Sequence, residues 1–296
     1  INFRHLTGIF QRKPGMITKS EMIHYRSIFE GELKNNILAY WMKYAVRPDG
    51  SGFYGAVNLS NQPVPGAKQS CVLNARILWT FSAAVVRYPG AGYERIAHLA
   101  YQVLTTRFAD QLHGGYFMEL THTFEPADDI KHTYAQAFVL YALCKYYTLC
   151  QSPEVYDQIL NFFRTLDRLT HDPVNPGYCE AFTRDWQPLK QNRMADHNEP
   201  KSMNTHLHVL EAWTQLLKVT QDEVVHARLS EMMHIFLDHI IRPSGHLGVF
   251  FDNDFEETVD SRQVCSFGHE IEASWLLLEA AEILGEEAIF QRTKQA

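Results

Sequence analysis

The sequence contains no apolar run approaching the roughly 20 residues that span a bilayer. Its polar start, INFRHLTGIFQRKPGMITKSEM, lacks the apolar centre of a secretory signal. A soluble, unexported, cytoplasmic chain is therefore expected. CxxC spacing is absent too: Cys71, Cys144, Cys150, Cys179 and Cys265 are scattered and odd in number, a pattern that suggests neither a disulfide framework nor a zinc knuckle. Nor is there an excess of positive charge. The 27 Lys and Arg face 34 Asp and Glu, for a formal charge of -7. With no basic run, this balance argues against a nucleic-acid or anionic-membrane partner.

What the chain does have is hydrophobic content of 46% over 296 residues, enough for a large core. Residues 1–19 are basic, broken by Gly and Pro, and begin at Ile1; they read as a tail or upstream read-through, with Met16 or Met22 as plausible natural starts. A helical pattern starts near Ser20, a candidate N-cap. The barrel-forming domain is expected over residues 20–296.

From there the sequence alternates. SEMIHYRSIFEGELKNNILAYWMKYAV is amphipathic and CVLNARILWTFSAAVVRY is apolar on most sides. Amphipathic segments recur at about 93–110, 152–170 and 221–241, and richer apolar ones at about 133–150, 204–220 and 269–285. Between them lie GFYGAV, GYFMEL, GYCEAF and GVFFDN, opening at Gly52, Gly115, Gly177 and Gly248, steps of 63, 62 and 71 residues. Such reiteration signals a repeated supersecondary unit, longer than the units of about 33–47 residues in common solenoids. Helix pairs joined by aromatic hairpins pack naturally as a toroid with inner and outer helix rings. Loops rich in Gly, Tyr, Phe, Asp and His then gather at one mouth.

The first turns of the four apolar segments carry Arg76, then Gln136, then His206, His208 and Glu211, then His269 and Glu272. Singly, an Arg or His on a helix is usually a surface group or a hydrogen-bonded core residue. Four segments aiming polar groups at one space are harder to explain that way. At 3.6 residues per turn His206 and His208 point roughly 200° apart, so only one of them should face the cavity. His208 with Glu211, and His269 with Glu272, share a face at i, i+3, where a carboxylate can fix the imidazole tautomer. A dinuclear metal is disfavoured, because bundle di-iron sites order Glu before His and need two further glutamates. Paired carboxylates for inverting glycoside hydrolysis would have to come from Asp128, Asp129, Asp185, Asp252 and Asp254, several of which look like turn residues. Histidines make the better case for proton transfer near neutral pH.

ARILWTFSAA, KHTYAQAFVLYAL, NTHLHVLEAWTQL and SFGHEIEASWLLLEAAEILG closely resemble the N-acylglucosamine 2-epimerase superfamily, above all its cellobiose 2-epimerases. The similarity runs from about Ser20 to the end, in the family's order. It implies an all-α fold, an (α/α)6-type toroid with short β-hairpins, of which about four of six helix pairs are present. It also implies cofactor-independent epimerisation at C2 of a reducing-end sugar, by ring opening and a cis-enediolate. By the same resemblance His269 is the acid/base group and Glu272 its supporting carboxylate. Arg76 holds the enediolate oxygens and His208 contacts O1 and O2. Tyr134 and Trp275 line the sugar site, with Asn204 and Glu211 among the binding residues.

The departures are specific. Family members continue through further helix pairs with a second acid/base histidine, which no histidine here matches; His246 is not in its place. Ala135 stands where cellobiose epimerases commonly carry Asn. A partial ring would leave apolar flanks at its first and last helix pairs. The expected partners are a disaccharide or monosaccharide substrate, with the chain a monomer or weak homodimer. No metal or cofactor is expected. Aldose-ketose isomerisation, N-acylglucosamine 2-epimerisation and sugar binding without turnover are the alternatives.

Overall fold

The computed structural model describes residues 17–192 and 198–296. The tail expected over residues 1–19 lies outside them up to residue 16. Helix α1, Lys19–Glu32, is capped by Thr18 and not by Ser20: Thr18 Oγ1 accepts from the Glu21 N–H at 3.2 Å, and the Glu21 carboxylate accepts from the Thr18 N–H at 3.0 Å. This reciprocal capping box satisfies two otherwise free donors, which places Ser20 inside the first turn.

Four inner helices follow, the first three largely buried and the fourth buried along one side: α2 (Cys71–Arg87), α4 (Thr133–Cys150), α6 (Met203–Val219) and α8 (Phe267–Leu284). Each is followed by an outer helix: α3 (Glu94–Val103), α5 (Pro153–Thr170), α7 (Glu223–Ile235) and α9 (Glu287–Gln295). The inner helices pack in order, α2 on α4, α4 on α6 and α6 on α8, and each outer helix packs on the inner helix before it. This is the inner and outer layering of an (α/α) toroid.

Sequence decides the layer. Helix α5 starts with Ser152 as cap and Pro153 at its first position, and buries Val155, Ile159, Phe162, Phe163 and Leu166 along one stripe. Helix α6 has almost no exposed face and carries Trp213 into the core, where its Nε1–H donates to Tyr178 Oη at 3.0 Å. Among the described residues no helix is long and apolar enough to cross a membrane.

Short strands stitch the repeats. β1 (Gln69–Ser70), just before α2, pairs antiparallel with β2 (Glu119–Leu120), which also pairs with β3 (Pro126–Asp128). β4 (Lys131–His132) pairs with β5 (Ala181–Phe182), and β6 (Lys201–Ser202) with β7 (Phe250–Phe251). The strand entering one inner helix thus finds its partner in the next repeat's hairpin. Beneath these strands Lys131 is fully buried, with Nζ 2.9 Å from Asp110 Oδ2, and Arg184 Nε reaches the same oxygen at 2.8 Å. Lys201 repeats the device with Asp172 at 3.1 Å.

Each hairpin closes on one bridge: Val46–Phe53, Ala109–Tyr116, His171–Tyr178 and Ile241–Leu247. The residue before the second member is Gly52, Gly115, Gly177 and then His246. The fourth turn is one residue shorter, and Gly245 takes its positive φ of 83°. Gly248, the fourth repeat marker in the sequence, therefore lies two residues beyond the turn position held by the other three glycines. At both ends of the array apolar side chains face solvent, Phe29 on α1 and Phe267, Ile271 and Trp275 on α8.

Candidate active site

The four inner helices present one register to a common space. Arg76, Phe138, His208 and Glu272 are each the sixth residue of their helix. One turn further on the same face stand Trp79, Tyr141 and Glu211. With Thr80, these seven line a cavity of about 210 Å³. The Arg76 guanidinium lies 4.6 Å over the Phe138 ring, whose centroid is 4.4 Å from that of His208. Tyr134 meets the His208 ring edge-on at 5.1 Å, and Trp79 stacks on Tyr141 at 5.3 Å.

His208 and Glu211 form the pair that their spacing suggests. Nδ1 of His208 lies 3.0 Å from Glu211 Oε2, and both residues are buried. A carboxylate can only accept, so Nδ1 carries the proton and Nε2 is left as the basic nitrogen. Burial raises the Tyr141 hydroxyl, and the Glu211 charge raises it further, so Tyr141 stays a protonated donor. Burial also raises Tyr134, with Arg76 opposing the shift.

The second expected pair does not form. His269 Nδ1 is 2.7 Å from Ser266 Oγ, and Nε2 is 3.2 Å from Asn204 Oδ1 on α6. Both ring nitrogens are engaged by neighbours at the start of α8 and α6, so Glu272 is not the imidazole's partner. Glu272 instead faces the cavity with Arg76, His208 and Glu211. Asn204 orients His269. Trp275 is half exposed on α8, outside the cavity lining.

A family model described as N-acylglucosamine 2-epimerase (GlcNAc 2-epimerase) matches residues 52–295. The chain belongs to this family. Among relatives of the N-acylglucosamine 2-epimerase family, a cellobiose 2-epimerase from Bacteroides fragilis is 38% identical over 258 residues, 86% of this chain and 65% of the relative. One from Dictyoglomus turgidum is 33% identical over 256 residues, 86% and 64% of the two chains. This chain thus spans about two thirds of the length of the curated relatives it matches. The solved cellobiose 2-epimerase of Spirochaeta thermophila superposes with a TM-score of 0.85 at 34% identity, covering 94% of this chain and 70% of that one. A D-mannose isomerase, at 19% identity and TM-score 0.76, covering 96% and 70%, shares the fold.

Within this epimerase-family fold several polar residues hold hairpins and do not face the cavity. His206 is fully buried and points away from it, as the helical spacing requires: Nδ1–H donates to Ser202 O at 2.7 Å and Nε2 accepts from the Tyr178 N–H at 3.0 Å. Burial pushes its pKa down to about 4. Gln136, expected to face the cavity, is turned the same way, accepting from the Tyr116 N–H at 2.9 Å and donating to Tyr116 O at 2.8 Å. It is the fourth residue of its helix, like His206, and the fourth position grips the preceding hairpin. Asp252 accepts from the N–H groups of Asp254 and Glu256, as a turn residue does. Trp79, Thr80, Phe138 and Tyr141 were not among the expected site residues. Aligning the inner helices on Arg76 and His208 would have found all but Thr80, since the other three occupy their sixth and ninth positions.

Proposed function

We propose that this chain carries the sugar site of a 2-epimerase acting on the reducing-end residue of a β-1,4-linked disaccharide, with cellobiose or lactose as type substrates. The observation that carries the reading is the convergence of Arg76, the His208–Glu211 pair and Glu272 from three helices on one cavity, with His269 held at the start of α8 by Asn204 of α6. The names of the cellobiose 2-epimerase relatives support the choice of substrate.

The chemistry follows from the residues. With the ring open, His269, once Nε2 is released from Asn204 and Nδ1–H donates to Ser266, takes the C2 proton at Nε2 and an enediolate forms across C1 and C2. Arg76 is always charged and meets the oxyanion as it develops. His208 Nε2, without a hydrogen-bond partner among the described residues, accepts from the O1 or O2 hydroxyl, and Glu211 holds its tautomer. Glu272 adds a carboxylate to the cavity wall, Tyr134 offers its ring beside His208, and Trp275, outside the cavity lining, offers an exposed ring to the sugar's outer part. Inversion also needs a proton delivered to the opposite face. The family resemblance assigns that step to a second histidine that no histidine of this sequence matches. His269 can by itself exchange the C2 proton.

Incubation with cellobiose in D2O tests the reading: deuterium at C2 of the reducing-end sugar is expected. Label at C1 with a fructose-type ketose would assign aldose-ketose isomerisation instead. Saturable disaccharide binding by calorimetry without exchange would leave a sugar-binding site without turnover.

A further inference from the structure

The fourth repeat departs from the others at one point. In the earlier hairpins the residue before the bridging aromatic is a glycine at positive φ. A Cβ added at Gly115 would stand 2.6 Å from Trp186 and 3.0 Å from Gln136 Oε1, and one at Gly177 would stand 2.6 Å from His206 Nε2 and 2.9 Å from Phe255. Glycine is needed there because the gripping side chain of the inner helix and an aromatic ring together fill the space. In the fourth repeat that gripping position, the fourth of α8, is Glu270, and the shortened turn sets His246 against it.

An imidazole and a carboxylate therefore meet where the other repeats have glycine. His246 Nδ1 is 2.9 Å from Glu270 Oε1. The turn Ser261–Gln263 then brings in Cys265, whose Sγ is 3.3 Å from the same oxygen and 3.9 Å from His246 Nδ1. Among the described residues this is the one group of three His, Cys, Asp or Glu side chains whose donor atoms all lie within 4.8 Å of one another.

We propose that His246, Cys265 and Glu270 form a binding site for a divalent transition-metal ion of the zinc class, separate from the sugar cavity. Bonds of about 2.0–2.3 Å to N, O and S in a tetrahedron put the donors about 3.4–3.6 Å apart. The three observed separations differ from that by half an ångström or less, so small side-chain rotations complete one face of the tetrahedron. The partly exposed imidazole and exposed thiol leave the fourth position to water.

The donor set selects the ion. One thiolate, one imidazole and one carboxylate suit zinc or cobalt, whereas Mg2+ and Ca2+ want several oxygens. Binding releases the thiol proton, and thiolate and carboxylate together balance the dication. Arg242 lies near Cys265 and Glu270 but is engaged by Glu257 at 3.1 Å and by Ser261 O at 3.0 Å. A cysteine nucleophile fits less well. The Cys265 thiol donates to Glu270, and that hydrogen bond raises its pKa, opposite to an activated thiolate.

Titration of the full chain with Zn2+ alone by calorimetry, and with Co2+ by absorption, tests the site. Expected are one Zn2+ per chain, a near-ultraviolet thiolate-to-cobalt band, and affinity weakened roughly tenfold or more in His246→Gln and Cys265→Ser. The cobalt band is lost in Cys265→Ser and kept in Cys150→Ser. His246→Gln keeps every cysteine, so it reads the site even if Cys265→Ser fails to fold. No Zn2+ binding, equal affinity in the variants, or a cobalt spectrum without the thiolate band would overturn the assignment.

Discussion

His208 donates from Nδ1 to Glu211 Oε2 at 3.0 Å across one turn of α6, and this bond fixes the tautomer that leaves Nε2 as the unprotonated nitrogen of a residue lining the cavity. Glu211→Gln keeps the shape but can present an amide donor to Nδ1, which favours the opposite tautomer. C2 exchange should fall by about 10²-fold with little change in sugar affinity. Calorimetry beside the D2O assay separates the two, and an unchanged exchange rate would remove Glu211 from the orienting role.

His269 is the proposed proton carrier, held by Ser266 and Asn204. His269→Ala should lower C2 exchange by about 10²–10⁴-fold while disaccharide binding survives. Trp275→Ala, at an exposed ring, should act mainly on KM. Full exchange in the histidine variant contradicts the assignment.

The buried Lys131–Asp110–Arg184 cluster should matter more to stability than any surface pair. Burial disfavours the Asp110 charge, but hydrogen bonds from Arg184 and Lys131 outweigh it and hold the carboxyl well below its usual range. Asp110→Ala leaves Lys131 buried and unpaired, and should cost about 3–5 kcal/mol in chemical denaturation. Removal of Asp238 from its exposed pair with Arg292 should cost at most about 1 kcal/mol.

His206 predicts a pH dependence. Its pKa is about 4 in the fold and about 6.5 unfolded, so between those values the unfolded chain binds more protons. The His206 contribution is complete above about pH 6.5 and is lost as pH falls toward 4, an effect on the order of 3 kcal/mol. Burial raises Glu180 to about 7, which works in the opposite sense over the same range, so the difference between wild type and variant is the informative quantity. Gln136 grips Tyr116 with both amide atoms at the equivalent position, so His206→Gln should fold and lose less stability than wild type as pH falls from 7 to 4, read as the difference between their Tm profiles. An equal slope would contradict this.

Much of the layering was legible because helical periodicity separates buried helices from amphipathic ones before any contact is known. The same 3.6-residue geometry allowed only one of His206 and His208 to face the cavity, as found, and paired His208 with Glu211. Spacing did not decide the partner of His269. At i, i+3 Glu272 is in reach, but Ser266 and Asn204 take both ring nitrogens, and Asn204 lies 65 residues away. Gln136 misled for a related reason: polarity at a helix start says that a partner is needed, and here the partner is the Tyr116 backbone.

By itself, then, the sequence determined the helical repeat, the inner and outer layers, the family resemblance and the face shared by His208 and Glu211, all of which follow from local periodicity and residue type. The tertiary structure decided what depends on the relative placement of repeats. It set Arg76, Phe138, His208 and Glu272 at one depth around a cavity and gave His269 to Asn204. It also brought His246, Cys265 and Glu270 together through a turn one residue shorter than its counterparts. Hydrogen bonds and shared cavities between distant segments depend on ångström-scale distances that no spacing along the chain encodes.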